Sequence, residues 1–270
     1  MRSFWKVLLA VMLVGLIGLF VAGCSQKQAA QPQPQQQLPK YTIASEIDYP
    51  PLEFVDTQTN TNTGFDIDLM NAIGKVEGFE PVFKNMGFDG IIAAVQTNNV
   101  DAAISSITIT DERAKSVDFS IPYYKSGLII AVRKDNNDIK SFADLKGKKL
   151  VAQIGTTGLD KSKEISDSVK QFDHVPEALQ EIKNGAAVAL INDLPVSAYY
   201  VNMYPNDYKL VGDPLTSEFY GIAIPKNRPE IKQKIDDGLN KLKASGEYVT
   251  IYKKWFGRDP ESYLPGEPPK

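Results

Sequence analysis

The chain carries one histidine, His174, and one cysteine, Cys24, among its 270 residues. That scarcity excludes intrachain disulfides, zinc cages built from Cys and His, and Cys/His nucleophile pairs. A Ser-His-Asp triad could draw only on His174, which lies in the polar run QFDHVPEA beside a predicted helix start and reads as structural or solvent-exposed. Charge of one sign is lacking too: 30 Lys and Arg stand against 33 Asp and Glu, for a formal net charge of -3. With no basic block, no nucleic-acid partner is expected. No cofactor and no metal are expected either. What remains is ordinary globular material, 43% hydrophobic and 23% charged, with enough chain for one large or two medium domains.

Residues 1–24 read as an export signal, in which Arg2 and Lys6 precede an apolar run over 7–23. About 17 apolar residues is the lower limit for a membrane span, so a retained helix is the competing reading. The ending Val21-Ala22-Gly23-Cys24 resembles the bacterial lipoprotein signal, in which cleavage precedes the Cys and its thiol receives a diacylglyceryl group. That resemblance implies a protein held outside the cytoplasm on the cell membrane by acyl chains at Cys24. Residues 25–40 are rich in Gln and Pro, with almost nothing large and apolar to bury, and read as a tether.

From Tyr41 strands and helices alternate. Strands are predicted at 41–45, 81–85 and 100–104, with helices from Gly64 to a stop at Gly78 and over 89–97, the latter capped by Asp89. A second series follows the apolar strand 127–132: a short helix at 141–145, strand 149–153, the turn GTTG at 155–158, a polar helix, strand 171–175, helix 177–184 and strand 187–191. Asp193 then caps a helix to Met203; a strand at 219–224 and helices at 230–244 and 247–256 close the chain. Two such series predict two α/β lobes with parallel sheets covered by helices.

Residues 101–120, DAAISSITITDERAKSVDFS, break a local rule. Thr110 suits an N-cap and Asp111 and Glu112 suit the first turn, but Arg113 stands where a capping box would place Glu or Gln. Two readings follow: a solvated arginine beside a Thr-capped turn, or a carboxylate site in which backbone amides, the hydroxyls of Ser105, Ser106 and Thr108, and a guanidinium converge on one anion.

Six motifs in order carry a family resemblance: GFDIDL (64–69), FDGIIAAVQ (88–96), ITITDERAKSVDFS (107–120), YYKSG (123–127), GTTG and YKKWFG (252–257). The chain resembles the bacterial extracellular solute-binding proteins of the polar amino-acid type, receptors of ABC importers, over about 41–257. The resemblance implies a two-lobed periplasmic-binding-protein fold with a central cleft and two hinge crossings, near 123–127 and 216–220. Lobe 1 would comprise 41–124 and 220–257, lobe 2 would comprise 125–219, and 258–270 would form a tail. It also implies a monomeric, non-enzymatic binder of a free amino acid that partners a membrane permease.

Site residues carry over from the resemblance one at a time. Arg113 would take the ligand carboxylate with Ser106, Thr108 and, from the other lobe, Thr157. Asp193 would hold the α-ammonium with help from a carbonyl at Ser105 or Ser106. Tyr49 and Phe88 would sandwich the ligand side chain, and Glu46 and Gln153 would face its far end. Taken singly, Asp193 reads equally as a helix cap, GTTG as a plain turn, and Tyr49 and Phe88 as core. With Asp193 used by the ammonium, Glu46 needs another cation in a closed cleft, so a basic amino acid is expected, arginine ahead of lysine or histidine. Glutamine is the alternative within the class, because its amide can donate to Glu46. A periplasmic dehydratase on the same fold is the alternative outside it, and would need Glu46 or Asp193 as its acid or base.

Overall fold

The computed structural model describes residues 37–269; the segment expected to be an export signal, Cys24 and most of the expected tether lie outside them. Strand β1 (Lys40–Ser45) leads through a hairpin, β2 (Phe54–Asp56) and β3 (Thr61–Thr63), into helix α1 (Phe65–Glu77). Then come β4 (Glu80–Asn85), α2 (Phe88–Gln96), β5 (Ala102–Ala103), α3 (Asp111–Ser116) and β6 (Asp118–Phe119). The crossing strand β7 (Tyr124–Ser126) opens the second series: β8 (Leu128–Arg133), a 3-10 turn (Phe142–Leu145), β9 (Leu150–Gln153), α4 (Thr157–Ile165), β10 (Val169–Phe172), α5 (Val175–Lys183), β11 (Ala189–Asp193), α6 (Leu194–Met203) and β12 (Tyr208–Val211). The chain returns through β13 (Glu218–Tyr220) and β14 (Ala223–Ile224) to α7 (Pro229–Ser245) and α8 (Glu247–Phe256).

Two five-stranded sheets result, ordered β4-β1-β5-β14-β6 and β10-β9-β11-β8-β12, and each founds a lobe. Parallel pairing holds at β4-β1-β5 and at β10-β9-β11, as the alternating pattern predicts. Both sheets are nevertheless mixed. Strand β14 enters the first after returning from the second and runs against β5 and β6, and β8 runs against β11 and β12.

The two crossings zip together as an antiparallel ribbon, with Tyr124 opposite Tyr220. Gly127 permits the close pass, since a Cβ there would sit 2.2 Å from the Thr216 carbonyl oxygen. The ribbon is held to the first lobe by rings. Tyr124 stacks on Tyr220 and on Tyr252 at 5.4 and 5.6 Å, and Phe65 and Phe256 complete the cluster. This explains the YKKWFG motif, whose Tyr252 and Phe256 lie one helical turn apart on α8. Helix α1 buries Phe65, Leu69, Met70 and Ile73 completely, each contributing roughly 1.5–3 kcal/mol of burial, and stops at the left-handed Gly78.

Several sequence-based boundaries move. The strand expected at 171–175 lies at Val169–Phe172, because Pro176 fits the first turn of α5 and draws His174 into the N-cap position. The strand expected at 219–224 breaks at Gly221, where the chain leaves the ribbon for the first sheet, and the one at 100–104 shortens to Ala102–Ala103. Helix α2 is entered from Gly87, with Asp89 in its first turn and not at its cap. The β2–β3 hairpin and β12 have no counterpart in the sequence reading.

Candidate functional site

A narrow cavity of about 10 Å³, room for about one water, lies between the lobes. The first lobe lines it with Glu46, Tyr49, Phe88, Ser106, Thr108 and Arg113, and the second with Gln153, Thr156, Thr157 and Asp193. Of the residues predicted from sequence, Ser105 alone is absent from this wall, and Thr156 joins it unpredicted.

Arg113 owes its place to the capped turn. Thr110 Oγ1 accepts from the Arg113 backbone N–H at 3.2 Å, which fixes the start of α3. The guanidinium then turns away from solvent: Nη1 donates to the Thr108 carbonyl at 2.8 Å, and Nη2 crosses to the Gly155 carbonyl of the other lobe at 3.0 Å. It also stands over the Phe88 ring, 5.3 Å from the centroid. Burial lowers its pKa, but an arginine stays charged. Half-buried, Arg113 bridges the two lobes and does not hang free in solvent. Gly155 has φ +76, and a Cβ on it would lie 3.1 Å from Asp89 Cα, so glycine is what lets the GTTG turn approach the first lobe.

The hydroxyls of Thr108 and Thr157, one from each lobe, both donate to Glu218 Oε2, at 2.9 and 3.1 Å. Glu218 sits on the β13 crossing, and its Oε1 accepts from Thr216 Oγ1 at 3.0 Å. Sequence reasoning missed it, although a charged residue inside a hinge crossing was a visible cue. Thr156 is the N-cap of α4 and accepts from the Leu159 N–H, which leaves the Thr157 hydroxyl to reach Glu218.

Behind this wall lies a buried polar support that the sequence did not suggest. Ser106 has φ 51, a left-handed conformation uncommon for a residue with a Cβ. Asp66 Oδ2 accepts its N–H at 2.8 Å and also the Tyr123 hydroxyl at 2.8 Å. Glu53 accepts from the hydroxyls of Ser105 and Ser106 at 3.0 and 3.1 Å. Ser105 Oγ in turn accepts the Glu46 N–H at 3.0 Å, so Ser105 braces the wall from behind. Burial, then mutual repulsion, pushes Glu53 well up, and burial carries Asp66 to about 7.

Asp193 occupies the N-cap position of α6, yet its side chain makes no capping bond. It faces the cleft instead, where the Tyr49 hydroxyl lies 2.9 Å from Oδ2. Burial, followed by the nearby Glu218 charge, raises Asp193 to about 7. An ammonium placed there would reverse that rise.

Glu46 directly follows β1 and is 2% exposed. Its Oε2 accepts from Gln153 Nε2 at 2.6 Å, and its Oε1 lies 3.1 Å from His174 Nδ1. The same Nδ1 is 2.5 Å from Asp48 Oδ2. Burial, then the Asp48 charge, raises Glu46 to about 7. The three groups lie within 4.8 Å of one another. Two ligands on one tetrahedral zinc stand about 3.4 Å apart, so the 2.5 Å contact is that of an ion pair. His174 is half-exposed, as its polar setting implied, but it is also paired across the cleft.

Known proteins share this architecture. The chain is 33% identical over 262 residues to a protein of Neisseria gonorrhoeae named probable histidine-binding protein, covering 94% of this chain and 96% of that one. It is 37% identical over 203 residues to the ABC transporter glutamine-binding protein GlnH of Bacillus subtilis (strain 168), covering 73% and 74%. Among solved structures, an ancestral arginine-binding protein, described once bound to glutamine and once bound to arginine, superposes with a TM-score of 0.78 at 43% identity, over 81% of this chain and 98% of that one. The model of one family matches residues 41–258, and the chain belongs to it: the bacterial extracellular solute-binding proteins, family 3.

Proposed function

We propose that this solute-binding protein takes a basic amino acid, arginine ahead of lysine or histidine, and delivers it to the permease of an ABC importer while anchored at Cys24 on the outer face of the cell membrane. The observation that carries the reading is the charge set of the cavity: two buried carboxylates, Glu46 and Asp193, against Arg113, the one cation among the lining residues. An α-amino acid brings a carboxylate for Arg113 and an ammonium for Asp193. Glu46 is then left to the ligand's far end, where a guanidinium neutralises the carboxylate and can bond it with two parallel N–H groups, whereas an amide brings no charge. Tyr49 and Phe88 supply ring surface for the ligand's methylenes and for cation–π contact.

Glutamine is the second reading. The observation that favours it is the Gln153 amide, already donating to Glu46 at 2.6 Å, a geometry that a ligand amide can copy. The names of the similar proteins divide between the two ligands and histidine. They name binding proteins, and catalysis at Glu46 or Asp193 is not part of the proposal. A thermal-shift screen of the twenty amino acids on ligand-stripped protein tests it. Saturation to about 100 times Kd adds roughly 2.7 kcal/mol to the folded state, so arginine should give the largest rise in Tm; a larger rise with glutamine overturns the ligand assignment.

A further inference from the structure

His174 has no part in the recognition described above, yet it links the second lobe to Glu46 and Asp48 of the first. It is borne by the second lobe at the N-cap of α5, and its Nδ1 contacts Asp48 Oδ2 and Glu46 Oε1 of the first. The charged groups that face it are these two carboxylates and, from the first turn of its own helix, Glu177. Tyr200 on α6 faces Asp48 from the other side with a neutral hydroxyl. Among the described residues, no Lys or Arg pairs with Glu46 or Asp48; the imidazole is their only ion-pair partner. The other Glu46 oxygen is held by the neutral amide of Gln153.

We infer that His174 is a specificity-determining residue, an internal cation that occupies Glu46 in the empty cleft and gives up its proton when a cationic ligand side chain takes Glu46 over. The inference rests on the basic-ligand reading above and adds to it a competitor built into the chain. Partial burial pulls the imidazole down, but Asp48 and then Glu46 outweigh it and hold it above its ordinary value. A guanidinium placed on Glu46 neutralises one of those carboxylates and adds a positive charge beside the ring, so the proton becomes costly to keep. A glutamine amide brings no charge and leaves the imidazolium in place. Acid conditions therefore favour a neutral ligand relative to a cationic one, and the preference for the cation grows as the pH rises through the His174 midpoint.

As the chain's one histidine, His174 gives a single imidazole to follow by NMR, through its Cε1–H resonance, in full-length protein purified through a histidine-free tag. The titration runs from about pH 5 to about pH 9 on protein that is empty, saturated with arginine, or saturated with glutamine. The expected midpoint is above that of a free imidazole in the empty protein, about one pH unit or more lower with arginine, a tenfold loss of proton affinity, and not lowered with glutamine. A midpoint that arginine leaves in place or raises overturns the competition while sparing the arginine reading. If arginine perturbs no resonance of the protein at any pH, both are overturned.

Discussion

The Tyr49 hydroxyl meets Asp193 Oδ2 at 2.9 Å across the cleft, although 144 residues separate the two in sequence. The same oxygen lies 2.9 Å from Asn192 Oδ1, while Asn192 Nδ2 is buried without a partner. Turning the Asn192 amide over resolves the conflict at Tyr49: Nδ2 donates to the Tyr49 oxygen, whose one proton goes to Asp193. Tyr49 is therefore more than ring surface, because it stabilises the ionised form of the carboxylate assigned to the ligand ammonium.

Tyr49→Phe should raise the Asp193 midpoint further above about 7, since the lost hydrogen bond lowers it in the native protein. Amino-acid affinity near neutral pH is expected to fall by a factor of about 5–10, as for one hydrogen bond of ~1–1.5 kcal/mol, and to recover partly at alkaline pH. Calorimetry at two pH values checks this; a loss of the same size at both contradicts it.

Arg113→Ala removes the cavity's cation and should weaken every α-amino acid alike, by ~3–5 kcal/mol, which is a loss of binding at ordinary concentrations. Arg113→Lys should recover only part, because an ammonium cannot donate to Thr108, Gly155 and a ligand carboxylate with one planar fork. Equilibrium titration with several amino acids separates this uniform loss from a change of preference.

Stability should depend on pH with a sign opposite to that of most acidic groups. Glu46, Asp66 and Asp193 have midpoints raised to about 7. Each binds its proton more tightly folded than unfolded, so its contribution is complete below the unfolded midpoint of about 4 and is lost as the pH rises through about 7. The Tm of the ligand-free protein should fall across that window. Saturating arginine places cations on Glu46 and Asp193, so its stabilising effect should grow over the same range. Scanning calorimetry reads both; a ligand-induced shift that shrinks with pH contradicts the assignment.

Both lobes were legible in the sequence because apolar runs alternate with amphipathic ones, and Arg113 was legible because it broke a capping rule at a turn that Thr110 does cap. The remainder needed the third dimension. Glu218 meets Thr108 across 110 residues and His174 meets Glu46 across 128, and no local pattern encodes such pairings. Asp66 lies in the GFDIDL motif, where nothing local distinguishes it from a solvent-facing carboxylate at a helix start, yet it is fully buried. Asp193 could not be separated from a helix cap until its side chain was seen to leave the cap unmade.

Cys24 lies outside the described residues, and its role is tested in cells. Cys24→Ser should move the protein from the membrane fraction to the soluble one or stall its processing, while binding by the folded part is unchanged. Membrane retention with unaltered lipid labelling contradicts anchoring at this residue.

The central claim is that Glu46 selects a cationic side chain. Calorimetric titration of stripped wild-type protein and Glu46→Gln with arginine and with glutamine measures it directly. Arginine should bind the wild type more tightly than glutamine does, and Glu46→Gln should cost arginine ~2–5 kcal/mol while changing glutamine far less. Tighter glutamine binding by the wild type, or equal losses for the two ligands in the variant, would contradict it.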